Sequence, residues 1–254
     1  MSDFKKTIQD TNRAFLTISE TLKKWVKTID WKTVHERMEY LSNKLPNDLE
    51  QELIKLMNRG WFIWFLDGTM SDFSQKISAL VGKSDEEQDA YMRSYITTNL
   101  VAFETELCNL HQSRESQIQD AFRGHALEMY YASIPTLLAL SEGIGRDLYP
   151  KIGVFAKHPK GSPKAGHPQT DDIFDSISGL DVFEEAVLKP LRVSSEVTKS
   201  IRSPTEDEKK LLNRHLIIHG NSNSYGSEDN SLKAVSLVFF IHKSLEHLKS
   251  EANT

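Results

Sequence analysis

The stretch Leu211-Leu212-Asn213-Arg214-His215-Leu216-Ile217-Ile218-His219-Gly220 holds the chain's most reactive combination of side chains. Four residues separate Arg214 from His219, and three of the four are aliphatic. On an ideal helix five steps turn through about 500°, so the two side chains flank a face roughly 140° apart. His215 and His219, at i and i+4, lie one above the other. A histidine at a helix C-terminus meets the negative pole of the dipole, which favours its charged form. An imidazole that titrates near neutrality can move a proton. A guanidinium, always charged and fork-shaped, can grip a phosphate oxygen. Together they suit acid–base cleavage of a phosphodiester. The same residues also fit a plain structural role, with a histidine bonding a terminal carbonyl. The stacked histidines could instead hold a metal. No HExxH glutamate accompanies them, so neither a metal nor a cofactor is expected.

Composition excludes several other chemistries. The 254 residues allow one large domain or two small ones. Cys108 is the single cysteine, which rules out an internal disulfide, a zinc ribbon and a CxxC redox centre. The longest apolar run, Trp61 to Leu66, falls far short of the ~20 residues that span a bilayer, so no membrane association is expected. The opening MSDFKKTIQD lacks the apolar core of a secretory signal. A cytoplasmic protein is therefore expected. A net charge of −5 argues against a generally basic nucleic-acid binder but leaves room for a local basic patch.

The elements that would position Arg214 and His219 read as helices throughout, giving an all-α fold. An apolar stripe runs through Ile8, Phe15, Ile18, Leu22, Trp25, Val26 and Ile29. Shorter helices carry Val34, Met38, Leu41 and Leu45, then Leu49, Leu53, Leu56 and Met57, with a turn at Asp67-Gly68. Ser84 with Glu87 is a capping box for a long helix through Leu110. Another helix begins near Glu115 and continues to Leu138, with Pro135 as a kink. Ser203-Pro204-Thr205-Glu206 signals a helix start, Gly220 its stop, and Ser227 caps the last helix. These signals divide the chain into an N-terminal helical region, 1–115, and a helical domain, 116–254.

Residues 151–170 interrupt the pattern with three glycines, three prolines, four lysines and no acid. A loop that long is usually functional or disordered. Lys151, Lys157, Lys160 and Lys164 could make it a phosphate-attracting arm in an otherwise acidic chain. The Trp61–Phe65 aromatics read as core or protein interface, His242 and Cys108 as core, and Gly143-Ile144-Gly145-Arg146 is too short to be a nucleotide loop.

Arg214 to His219, with polar His215 directly after the arginine, resembles the Arg, four-to-six residues, His motif of the HEPN superfamily. The string LNRHLIIHGNSNSYGSEDNSLKAVSLVFFI is similar to the C-terminal helix pair of its abortive-infection members. Tyr130 through Glu142-Gly143 is similar to their upstream helix, so the resemblance covers about residues 120–250. It implies a four-helix up-and-down bundle with a long crossover, assembled as a homodimer. It implies a metal-independent endoribonuclease, a toxin or phage-defence effector. Arg214 and His219 from two protomers would face each other across a shared RNA cleft. Glu142 would orient the arginine or touch substrate, His215 and Asn213 would be secondary RNA contacts, and Lys157, Lys160 and Lys164 would attract the RNA. An antitoxin or regulatory protein would be a further partner. The alternative is a non-catalytic HEPN-like module that binds RNA, a nucleotide or a partner protein.

Overall fold

The computed structural model describes residues 30, 32–33, 35, 44–66, 70–177 and 179–252. The stripe from Ile8 to Ile29, the Val34–Leu41 positions and the Asp67-Gly68 turn lie outside the described residues. Two units are distinguished, Met1–Leu45 and Pro46–Thr254. In the first, the Asp30 carboxylate accepts the backbone N–H groups of Lys32 and Thr33.

The described helices are α1 (Leu45–Asn58), α2 (Met70–Ser78), α3 (Asp85–Leu110), α4 (Glu115–Ala126), α5 (Tyr130–Leu148), α6 (Asp171–Asp175), α7 (Val182–Leu188), α8 (Arg214–Ile218) and α9 (Glu228–Glu251). Among the described residues there is no strand, only an isolated bridge between Lys157 and Pro168. Four helices close a ring: α3 lies against α4 and α9, and α5 lies against the same two. The short connections 111–114 and 127–129 make α3, α4 and α5 antiparallel neighbours. Residues 149–227 form the crossover from α5 to α9. α3 is one wall of the ring and belongs with the later helices to the unit Pro46–Thr254.

Local chemistry explains these helices. Ser84 accepts the Glu87 N–H while the Glu87 carboxylate accepts the Ser84 N–H, satisfying two orphan donors at the start of α3. Ser227 accepts the Asn230 N–H at 3.2 Å and starts α9. From Asn230 to Leu245 nearly every α9 side chain is buried, and Phe239 meets Phe103 of α3 at 4.1 Å between ring centroids. Trp61, Phe62, Ile63 and Phe65 are buried as well, and the Phe62 N–H donates to Ser236 of α9.

Pro135 lies inside α5 and withholds the N–H that the Tyr131 carbonyl would accept. The Tyr225 hydroxyl donates to that carbonyl instead, at 3.2 Å. The two tyrosine rings meet edge to face at 5.0 Å, which ties the loop before α9 to the start of α5. The glycines after Glu142 are steric requirements. A Cβ on Gly143 would sit 2.5 Å from Arg114 Nη1, and one on Gly145 would sit 2.1 Å from Val154 Cγ2.

His111 and His242 form a buried pair across α3 and α9, with Nε2 of His111 at 3.0 Å from Nδ1 of His242. Burial pushes both imidazoles towards the neutral form, that of His242 to about 3, and the neighbouring His111 and Lys243 push the same way on His242. Glu106 and Glu246 lie 3.7 Å from His242 Nε2 and pull the other way, but Lys243 holds Glu106 at 2.8 Å. Burial prevails.

Two outcomes follow from this packing. Gly145→Ala gains up to ~1 kcal/mol of helix propensity but overpacks a β-branched neighbour with little rotamer freedom, which costs roughly 1–3 kcal/mol. A thermal melt should therefore show a lower Tm, whereas an unchanged Tm would mean that Val154 gives way. For the histidine pair, the unfolded chain takes up protons below about pH 6.5 that the native pair refuses. Stability should therefore fall as pH drops from there towards 3, by on the order of 1 kcal/mol per unit for each imidazole kept neutral. Urea unfolding against pH should show this slope flattened in the double variant His111→Phe/His242→Leu.

Candidate functional site

Arg214 and His219 lie at the two ends of α8, a helix too short to be stable alone. Its start is made by Asn213, whose side-chain oxygen accepts the Leu216 N–H at 2.9 Å. The amide nitrogen of the same side chain donates to the carbonyls of Glu196 and Lys199, at 2.6 and 3.0 Å. The Arg214 N–H donates to the Val197 carbonyl at 2.9 Å. The helix is thus hung on the 196–199 segment before its first turn is complete.

Its end is a Schellman motif. His219 is the C-cap, and Gly220 follows in the left-handed region with φ +69°. The Gly220 N–H reaches the Ile217 carbonyl and the Asn221 N–H reaches the Leu216 carbonyl, so two terminal acceptors are satisfied. Leu216 and Ile217 are buried and anchor the helix, while His219 is exposed and Arg214 and His215 are half-buried. The His215 and His219 rings meet edge to face at 4.7 Å between centroids.

The Arg214 guanidinium lies over the Phe155 ring, 5.6 Å from its centroid, within cation–π range. Glu142 does not contact Arg214 directly. One of its oxygens accepts from Arg146 Nε at 3.0 Å, and the other accepts the Phe155 N–H at 3.2 Å. Glu142 therefore reaches Arg214 through the backbone of the residue that carries the aromatic shelf. Gly153 lies in the same tight turn, where a Cβ would sit 2.7 Å from Ala156 Cβ and 3.3 Å from Glu142 Oε1. Phe155 is the residue that spacing could not find: a lone aromatic in a basic loop has no periodic signal.

Three expectations change. Ser203 does not start the helix that carries Arg214. Thr205 and Glu208 form the local box, a single 3₁₀ turn over Glu208–Lys210 follows, and Asn213 begins α8 afresh. Asn213 is 1% exposed with its side-chain groups already engaged, so it supports the helix and offers nothing to RNA. Lys164 is folded back onto Asp175, Asp172 and Asp171 at 2.5, 2.9 and 3.5 Å. Hydrogen bonds to Asp175 and Asp172, with the Asp171 charge nearby, hold its ammonium firmly in the charged form, and its charge is met within the protein. Lys151, Lys157 and Lys160 remain exposed on the loop.

Beneath Phe155 lies a small cavity of about 30 Å³, lined by Phe62, Val154, Leu191, Ser195, Thr198 and Phe240 among others. Its size suits one or two waters rather than a base. No described helix is long and apolar enough to cross a membrane. Compared with family models, curated proteins and solved structures, the chain has no match in any of the three.

The cap generates a test. Asn213→Ala removes the acceptor for Leu216 and both donated bonds, and should cost about 2 kcal/mol in urea unfolding. Asn213→Asp keeps the acceptor but sets a carboxylate against two carbonyl oxygens, so it should not rescue. Wild-type stability in Asn213→Asp would show that the bonds to Glu196 and Lys199 contribute nothing.

Proposed function

We propose that this chain is a metal-independent endoribonuclease of the HEPN type, acting as a toxin or phage-defence effector. The observation that carries the reading is the pairing of Arg214 and His219 on one short helix whose two ends are locked. Asn213 fixes the first turn and Gly220 the last, so both groups are held in place while His219 stays open to solvent.

The chemistry follows from the side chains. In its neutral form His219 takes the proton of the RNA 2′-hydroxyl, whose oxygen attacks the adjacent phosphorus. The bond from phosphorus to the 5′-oxygen breaks, and that oxygen takes a proton from an imidazolium. The products are a 2′,3′-cyclic phosphate and a free 5′-hydroxyl. Arg214, steadied on Phe155, holds a phosphate oxygen as charge builds. One imidazole cannot be base and acid in the same step, so the second comes from another copy. Ile218, beside His219, and Leu211 expose apolar side chains at 45% each, which suits a surface buried in a homodimer. Glu142 positions the shelf, and His215 steadies His219 or contacts RNA. Lys157 and Lys160, exposed on the loop as Lys151 is, contact RNA phosphates.

Cleavage of a mixed RNA pool tests this. Arg214→Ala and His219→Ala should each lose a factor of roughly 10²–10⁴ with circular dichroism unchanged. Arg214→Lys should rescue poorly, because a point charge lacks the two-toothed grip. Glu142→Gln should cost less, and activity should persist in EDTA. Light scattering should give a dimer at micromolar concentration. A folded His219→Ala that cuts like wild type overturns the reading and leaves a binding module.

A further inference from the structure

A second group of reactive side chains lies outside the Arg214–His219 site and shares no residue with it. Glu184 of α7 and His247 and Glu251 of α9 each offer one ligand atom, and these atoms all lie within 4.8 Å of one another. All three residues are half-buried. Glu184 Oε1 is 3.0 Å from His247 Nε2.

We propose that Glu184, His247 and Glu251 bind one divalent first-row transition cation, which clamps α7 to the C-terminal end of α9. The donor set points to that class. Imidazole suits zinc, iron, nickel and copper, carboxylates suit harder ions, and a mixed site takes the borderline divalent metals. The spacing is close to what binding needs, since two ligands with bonds of about 2.1 Å at a tetrahedral angle lie about 3.4 Å apart, a few tenths of an ångström more than Glu184 and His247 show. His247 and Glu251, at i and i+4, project from one face of α9. Glu184 arrives already aimed: its other oxygen accepts the Asp181 N–H at 2.8 Å in the capping box that starts α7. That backbone bond is the kind of outer contact that orients a metal-ligating carboxylate.

Electrostatics favours the same occupant. Two half-buried carboxylates that close together repel unless a positive charge lies between them. A hydrogen bond from His247 to Glu184 answers one carboxylate and leaves Glu251 facing the same point. A divalent cation answers both. Three protein ligands leave positions for water, as three-ligand zinc sites do. The His247 ring is backed by Trp64, with centroids 5.9 Å apart, which limits how far the imidazole can swing.

The experiment uses the full chain, stripped with EDTA, desalted and titrated with Zn²⁺ by calorimetry. One ion per chain is expected, together with a Tm rise of about 5 °C at a hundredfold excess over Kd. His247→Ala and Glu251→Gln should each weaken binding at least tenfold. Glu251 ends its helix, so that variant keeps the test sound if His247→Ala misfolds. Glu184→Gln should also weaken binding, while glutamine still serves the capping box. The double variant His215→Ala/His219→Ala should bind like wild type. Absence of binding to the wild-type chain overturns the proposal, as does binding that survives His247→Ala but disappears in the His215/His219 variant. None of these readouts depends on RNA cleavage.

Discussion

The unit Pro46–Thr254 is organised around one helix with almost no solvent face. Along α9 nearly every residue from Asn230 to Leu245 is buried, and a helix covered all round needs partners on every side. α3 and α5 supply two walls, the Trp61–Phe65 segment another, and the crossover before α9 the rest. The two lysines within that stretch show how strict the requirement is. Lys233 lies over the Trp61 ring, and burial pulls its ammonium towards the neutral form despite Asp229 one turn back. Lys243 is held by Glu106.

Covering α9 leaves the crossover little freedom to build long helices, and this shapes the candidate site. α8 has five residues, far below the length at which a helix holds itself together. Its geometry comes from side-chain and backbone caps: Asn213 at one end and the Gly220 turn at the other. A helix fixed this way can present residues at both termini without burying them. The Tyr225 hydroxyl does related work at α5, filling the acceptor that Pro135 leaves open and so anchoring the loop that follows α8.

Most of the long helices were legible because their signals are local. The Ser84–Glu87 box, the Ser227 cap and the Gly220 stop each stand where spacing put them. The start of α8 was not, because Ser203-Pro204-Thr205-Glu206 satisfies every local rule for a helix and still yields only one 3₁₀ turn. The competing signal was Asn213, whose two donated bonds reach carbonyls more than a dozen residues back in the chain. The boundary read at 115 rests on a similarly local signal. The break after α3 is a real turn, yet α3 belongs to the same ring by contacts that no local pattern encodes. Arg214, His215 and His219 were singled out as candidates from spacing. The Phe155 shelf and its tie to Glu142 are long-range and were not.

The charge of the basic loop shows how far a sequence count departs from a field. Residues 151–170 carry four lysines and no acid, but the next helix opens with Asp171 and Asp172 and ends at Asp175. Lys164 turns onto all three, and Asp171 also takes Arg192 at 2.6 Å. Placed against Lys164 and Arg192, the aspartates cancel much of the loop's positive potential within a few ångströms. A chain at −5 overall then offers a polyanion little long-range attraction. If RNA is the substrate, its capture falls to short-range groups: Arg214 on its shelf, and Lys157 and Lys160 at the loop surface. Binding through so few phosphate contacts gives a shallow dependence on salt, near one counterion per contact. In the proposed dimer, selectivity would rest on the shape of a cleft between two copies rather than on bulk charge.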